Sequence, residues 1–151
     1  MAKPRWLDDR EQHVWQSYLH LTQHLYATLE DQLLRDAGLS GADYKVLHPL
    51  SESPGGVLRA RELCTEIGWD RSRLSHHVTR MEKRGLVVRQ RTEEDKRFVR
   101  VALTGKGRRL IQEIFPAHVN RVTRRFRVLS DLEQEHLRRL CRKLGTRAEP
   151  A

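Results

Sequence analysis

Apolar residues recur along this chain at two different intervals, and the change of interval marks where helices give way to strands. Between Leu7 and Leu34, the residues Val14, Tyr18, Leu21, Leu25, Leu29 and Leu33 follow one another at steps of three and four, which puts them on one face of a long helix. Gly38 ends that helix, because glycine accepts a left-handed C-cap without strain. Ser40 opens a second helix: its hydroxyl can take a free amide of the first turn while Asp43 reaches back, and Leu39 is spaced to staple onto Tyr44. Pro49 and the Ser53-Pro54-Gly55-Gly56 run end it. A short third helix over about Arg61 to Ile67 turns at Gly68, and a fourth begins at Asp70 as N-cap, with Trp69 and Leu74 placed as a second staple.

After Gly85 the interval shortens. Leu86 to Arg91 and Arg97 to Leu103 read as strands, with Val99, Val101 and Leu103 alternating against more exposed positions. The polar tip Thr92 to Lys96 makes them a hairpin. A fifth helix from about Thr104 carries Ile111, Phe115, Val119, Val122 and Phe126 on one side, and Pro116 removes one of its backbone bonds, which predicts a kink. Ser130 and Glu133 form a capping box for a last helix that buries Leu137, Leu140 and Leu144 and stops at Gly145. The tail after Thr146 is expected to be disordered. No repeat or low-complexity segment interrupts this order.

The pattern therefore predicts a mainly α chain with a small β-hairpin wing (α+β), a winged helix-turn-helix with helices added at both ends. The central part can form a small core of its own, but the terminal helices are too amphipathic to stand as solvated rods. Packing against a second copy is the simplest remedy. We divide the chain accordingly: a single domain over 1–151, a winged helix-turn-helix region over 40–104, and dimerisation helices over 7–37 and 105–145.

Composition narrows the partner. The 151 residues suit one domain with a proper core. Twenty-nine Lys and Arg face twenty Asp and Glu, and the resulting +9 calls for a polyanion, either nucleic acid or an anionic membrane. No apolar run approaches the roughly 20 residues that span a bilayer, and Met1 to Trp6 lacks the apolar stretch of a signal peptide. A cytoplasmic protein, associated with the nucleoid when bound to DNA and with no membrane partner, is expected. Cys64 and Cys141 are far apart and lack metal-ligand spacing, so neither a disulfide framework nor a zinc finger is indicated. Both are expected to be buried thiols.

The candidate chemistry lies on the fourth helix. Leu74, Val78 and Met81 share its core face, which leaves Arg71, Ser72, Arg73, Ser75, His76, His77, Thr79 and Arg80 on the remaining surface. Every one of these side chains makes hydrogen bonds. Arginine can fork onto guanine, and serine and threonine can reach bases or phosphates, so the helix suits a DNA major groove. Residues 71–100 hold ten Lys and Arg against four acids, a net +6. An ordinary solvated face is the alternative.

Arg80-Met81-Glu82-Lys83-Arg84-Gly85-Leu86-Val87, then Glu94-Asp95-Lys96-Arg97 and Val101-Ala102-Leu103-Thr104-Gly105-Lys106-Gly107, resemble the MarR family of bacterial regulators. The similarity is strongest over about residues 58–110. It implies that Asp95 orients Arg97, that Arg97 enters the minor groove beside the recognition helix, and that Lys96 adds charge at the same tip. A narrow minor groove, with its enhanced negative potential, favours an inserted guanidinium. A plain surface ion pair between Asp95 and Arg97 is the alternative.

The resemblance further implies a homodimeric transcriptional repressor on a pseudo-palindromic operator in double-stranded DNA, released by a small, often aromatic or phenolic, inducer. Trp15, Tyr18 and His48 are the local candidates for ligand contact, with ordinary packing as the competing explanation. His13, His20 and His24 lie on one side of the first helix and raise metal sensing, as in some relatives, but no Cys or acidic pair completes a tetrahedral set. Cys64 raises redox sensing. Relatives that sense oxidants use a Cys near the start of the first helix, and the first helix here has none. No phosphate-binding glycine loop, serine elbow or metalloprotease motif appears, so neither an enzyme nor a cofactor is expected. His76 beside Ser75 does not change this, because neighbours on a helix point in different directions. A nucleoid-type architectural protein, binding by charge and DNA shape, is the main competing class, and a metal- or redox-responsive regulator the other.

Overall fold

The structure, a computed structural model, describes residues 7–92 and 95–145, except for the side chains of residues 92–97. In chain order these residues form α1 (Asp9–Ala37), α2 (Gly41–Glu52), a 3-10 turn (Pro54–Gly56), β1 (Val57–Arg59), α3 (Ala60–Ile67), α4 (Arg71–Lys83), β2 (Val87–Thr92), β3 (Asp95–Leu103), α5 (Gly105–Phe126) and α6 (Asp131–Gly145). The fold is mostly helical with one small antiparallel sheet. The tail expected to be disordered, from Thr146 onwards, lies outside the described residues.

Local chemistry sets the helix ends. Ser40 Oγ accepts from the Asp43 amide at 3.0 Å, and the Ser40 amide donates to Asp43 Oδ2 at 2.9 Å. Asp70 caps α4 through the Arg73 amide at 2.9 Å. The turn between α3 and α4 passes through Gly68 at φ 68°, a conformation that costs a residue with a Cβ and that glycine takes freely. Pro49 does not stop α2, which runs on to Glu52. Its fixed φ is helical, and the only loss is one backbone donor. Termination falls at Ser53, which is extended (φ −75°, ψ 147°) because Pro54 follows it. In the same way α5 runs through Pro116 as one helical segment.

β2 and β3 pair antiparallel as the expected hairpin, and a third strand that the sequence did not announce joins them, in the order β1-β3-β2. Val57 pairs with Ala102, Leu58 with Val101 and Arg59 with Arg100. Three residues are too few to show a period of two, so β1 has no signature in the sequence.

The chain divides into two compact units at the step from Phe115 to Pro116. The core of the first unit gathers Leu39, Val46, Leu47 and Leu50 from the second helix and its approach, Leu63 from α3, and Leu74, Val78 and Met81 from α4. Leu86, Val87 and Val101 from the sheet and Ile111 from α5 complete it. Of the residues read as staples, Leu39, Trp69 and Leu74 are buried in this cluster, and Tyr44 packs against it. The predicted stripe of the first helix is less covered. Leu33 is buried and Leu25 and Leu29 are half-buried, but Val14, Tyr18 and Leu21 are exposed. In the second unit α6 buries none of its residues. Among the described residues, no helix is long and apolar enough to cross a membrane.

Candidate nucleic-acid interface

α4 presents its polar face as the pattern requires, with one exception. Arg71, Ser72, Arg73, Ser75, His76, Thr79 and Arg80 are exposed. His77 is not: it is 6% exposed and belongs to the interior, where Nε2 lies 3.0 Å from Asp43 Oδ1. This corrects the placement of His77 on the DNA-facing surface. Position 77 is three residues after Leu74 and four before Met81, so the helical period had already put it on the core face. The polarity of the side chain hid that.

The exposed arginines are not loose. The Arg73 guanidinium stacks over the Trp69 ring at 4.3 Å, a cation–π contact that restricts a long side chain before any ligand arrives. Arg80 Nη2 lies 2.9 Å from His77 Nδ1. Arg73 and Arg80 share one flank of the exposed face and Arg71 lies on the other, so positive charge borders a helix whose first turn contains no acid. Such a surface can bind phosphates and can read guanine edges.

Two residues outside the expected site set how β2 meets α4. The Arg89 amide donates to Glu82 Oε1 at 2.7 Å, and its guanidinium pairs with the same carboxylate. Arg89 Nη2 also donates to the Ser75 carbonyl at 2.6 Å and to Thr79 Oγ1 at 3.0 Å. Ser75 and Thr79 are therefore partly committed to holding the wing. In the sequence Arg89 is one basic residue among ten, and nothing in its spacing sets it apart. The base of the wing is fastened by Thr104 and Gly107. Thr104 Oγ1 lies 2.6 Å from the Gly85 carbonyl, to which it donates, and accepts from the Gly107 amide at 3.0 Å. A Cβ on Gly107 would sit 2.1 Å from the Leu86 carbonyl oxygen, so only glycine allows α5 to approach β2 this closely. This is the physical content of the Leu-Thr-x-x-Gly pattern.

Asp95, Lys96 and Arg97 lie on the backbone of β3, and their side chains are outside the described residues. Just beyond them Phe98 is exposed, with the Arg59 guanidinium 5.0 Å from its ring centre.

The three ligand candidates lie on two helices, Trp15 and Tyr18 on α1 and His48 on α2. Trp15 and Tyr18 stack on each other at 5.8 Å on exposed α1. His48 stacks on Phe115 at 5.5 Å and lines an open cleft of about 270 Å³ with Tyr44, Lys45, Pro49, Glu66 and Ile67. In that cleft burial, with the Glu52 charge nearby, pushes the Tyr44 hydroxyl up to about 12, which keeps it a neutral donor.

Among the described residues no three His, Cys, Asp or Glu side chains gather as a metal-binding set. His20 and His24 do come within 4.0 Å, ring centre to ring centre. Cys64 is buried, and burial pushes its thiol up, against the pull of Arg71, which disfavours the reactive thiolate. Cys141, expected to be buried, is exposed.

The chain is similar to known proteins in sequence and in fold. The sequence profile of the MarR family matches residues 37–97. AbsC, a MarR family transcriptional regulator from Streptomyces coelicolor, is 36% identical, with a TM-score of 0.87 over 93% of this chain and 95% of that one. A second MarR family regulator from the same organism, whose crystal structure contains DNA, is 38% identical, with a TM-score of 0.89 over 100% of this chain and 95% of that one. The transcriptional repressor MprA of Escherichia coli (strain K12) is 25% identical over 132 residues, 85% of this chain and 75% of that protein.

Proposed function

The chain belongs to the MarR family of DNA-binding transcriptional regulators, and from that premise we propose that it is a cytoplasmic homodimeric repressor of a pseudo-palindromic operator. Two α4 helices enter successive major grooves roughly 34 Å apart, as a two-fold pair of recognition helices must. Arg71, Ser72, Arg73, Ser75, His76, Thr79 and Arg80 supply the contacts to bases and phosphates. Arg97, oriented by Asp95 and assisted by Lys96, enters the minor groove. The observation that carries this reading is the exposed, acid-free face of α4, with Arg73 held on Trp69 and the wing fastened to the same helix by Arg89.

Dimerisation uses the helices over 7–37 and 105–145. Val14, Tyr18, Leu21, Phe115, Val119 and Leu140 are large apolar side chains that the chain itself leaves exposed, and an apolar surface of that extent favours a partner. A small aromatic inducer binds at the cleft beside His48, with Trp15 and Tyr18 as further contacts. It acts by preferring the DNA-free state, because equal affinity for both states shifts nothing.

The test is selection of bound sites from random duplex DNA, followed by affinity measurement on the selected site and on unrelated DNA at matched salt. An inverted repeat preferred by about a thousandfold or more supports the repressor. Similar affinity for both DNAs, set by salt alone, sinks it in favour of an architectural protein.

A further inference from the structure

A chain of buried polar groups runs beneath the exposed face of α4. Asp43, in the first turn of α2, is 2% exposed. Its Oδ2 accepts from Arg84 Nη1 at 2.7 Å, and Arg84 Nη2 donates to the Gly38 carbonyl at 2.7 Å, where α1 ends. Its Oδ1 faces His77 Nε2 at 3.0 Å, and the other ring nitrogen of His77, Nδ1, faces Arg80 Nη2 at 2.9 Å. A guanidinium only donates, so Nδ1 must accept. The imidazole then carries its single proton on Nε2 and donates it to Asp43. Three side chains are thereby ordered: Asp43 fixes the tautomer of His77, and that tautomer presents a lone pair to Arg80.

An apolar side chain at position 77, between Leu74, Val78 and Met81, avoids the desolvation of a buried imidazole. What it cannot offer is an acceptor for the outermost arginine of the face. Trp69, which supports Arg73, also meets the His77 ring edge-on at 5.3 Å.

We propose that His77, held by Asp43, is a positioning residue for operator recognition, which fixes the Arg80 guanidinium in a DNA-ready geometry through its Nδ1 lone pair. The proposal rests on the reading of α4 as the recognition helix. Its physical basis is preorganisation: an arginine already immobilised loses less side-chain freedom on binding. Removing the acceptor is expected to weaken operator binding about three- to tenfold.

The test is a double-mutant cycle on the selected operator, with folding of each variant checked by circular dichroism. His77→Phe fills the space without an acceptor, and Arg80→Ala removes the arginine. Weakening by each variant, with the double variant no weaker than Arg80→Ala alone, supports the relay. So does recovery by His77→Gln, whose amide can donate to Asp43 and accept from Arg80. Losses that add in full, or parent-like binding by His77→Phe or Arg80→Ala, overturn it. Should His77→Phe not fold, nitrogen NMR of the parent decides: an unprotonated Nδ1 supports the proposal, and a protonated Nδ1, which cannot accept from Arg80, overturns it. A parent that selects no operator at all overturns the DNA-recognition reading beneath it; additive losses in a parent that does bind overturn the relay alone.

Discussion

Asp43 and His77 stabilise the fold only while Asp43 is ionised and His77 is neutral, with its single proton on Nε2. Burial alone raises the Asp43 carboxyl, but hydrogen bonds from Arg84 and Ser40, and the Arg84 charge, outweigh it and hold Asp43 below the usual carboxylate range. His77 is pushed below the ordinary imidazole value by burial first, with Asp43 opposing and Arg80 and Arg84 reinforcing. The groups facing it are Asp43 from α2, Arg80 on α4 and Arg84 at its cap, and the Trp69 ring from the preceding turn. Both folded-state values lie below the unfolded ones, so the unfolded chain binds protons first. The contribution of His77 is present above its unfolded pKa, about 6.5, and is lost as pH falls below it; that of Asp43 is lost only below about 4. The melting temperature should therefore drop between pH 7.5 and 5.5, and drop less in His77→Gln, which has no imidazole to protonate. Equal drops in both would show that His77 is not the group responsible. On the DNA side, Arg73→Ala should lose about 1–3 kcal/mol of discrimination between the selected site and unrelated sequences. Equal losses on the two DNAs would instead make Arg73 a phosphate contact.

At the scale of elements, the wing is held by two fastenings, one to the recognition helix and one to the start of α5. Arg89 ties β2 to the carbonyl of Ser75 and the carboxylate of Glu82 on α4, while Thr104 and Gly107 clamp the start of α5 onto the strand base. Gly107→Ala tests the second. Alanine is the better helix former by about 1 kcal/mol, yet its Cβ would sit 2.1 Å from the Leu86 carbonyl oxygen. That clash forces a backbone shift costing about 1–3 kcal/mol. The net expectation is a melting temperature lower by on the order of 5 °C; an unchanged or raised value in calorimetry would mean that the approach is looser than the geometry implies.

For the whole molecule, the apolar residues left exposed on α1, on the second half of α5 and on α6 set the prediction. Leu21, Val119 and Leu140 are 58%, 39% and 55% exposed, too much for side chains whose burial contributes about 1.5–3 kcal/mol each. Sedimentation at micromolar concentration should find a dimer, and Leu140→Asp should shift it toward monomer and weaken operator binding with it. A parent that sediments as a monomer removes the basis for two recognition helices at a fixed spacing. Arg97→Ala should weaken operator binding while leaving the dimer and its helix content intact, since the change removes only a cation at the wing tip. Parent-like affinity at matched salt would detach the wing from recognition.

What the sequence determined by itself was whatever depends on neighbours a few residues apart: the capping box of Ser40 and Asp43, the N-cap of Asp70, the glycine turn at Gly68, the core spacing of Leu74, Val78 and Met81, and the two long strands. Caps, turns and amphipathic faces are local, so their residues carry them openly. The exposed face of α4 was legible for the same reason. Tertiary structure decided the rest. β1 exists because β3 offers it an edge, not because of Val57–Arg59 themselves. Arg89 became a fastening only when β2 was laid beside α4. His77 left the DNA-facing surface because Asp43, 34 residues earlier, supplies a partner in the core. A polar side chain reads as exposed until something distant satisfies it, and that satisfaction is a contact no local pattern records.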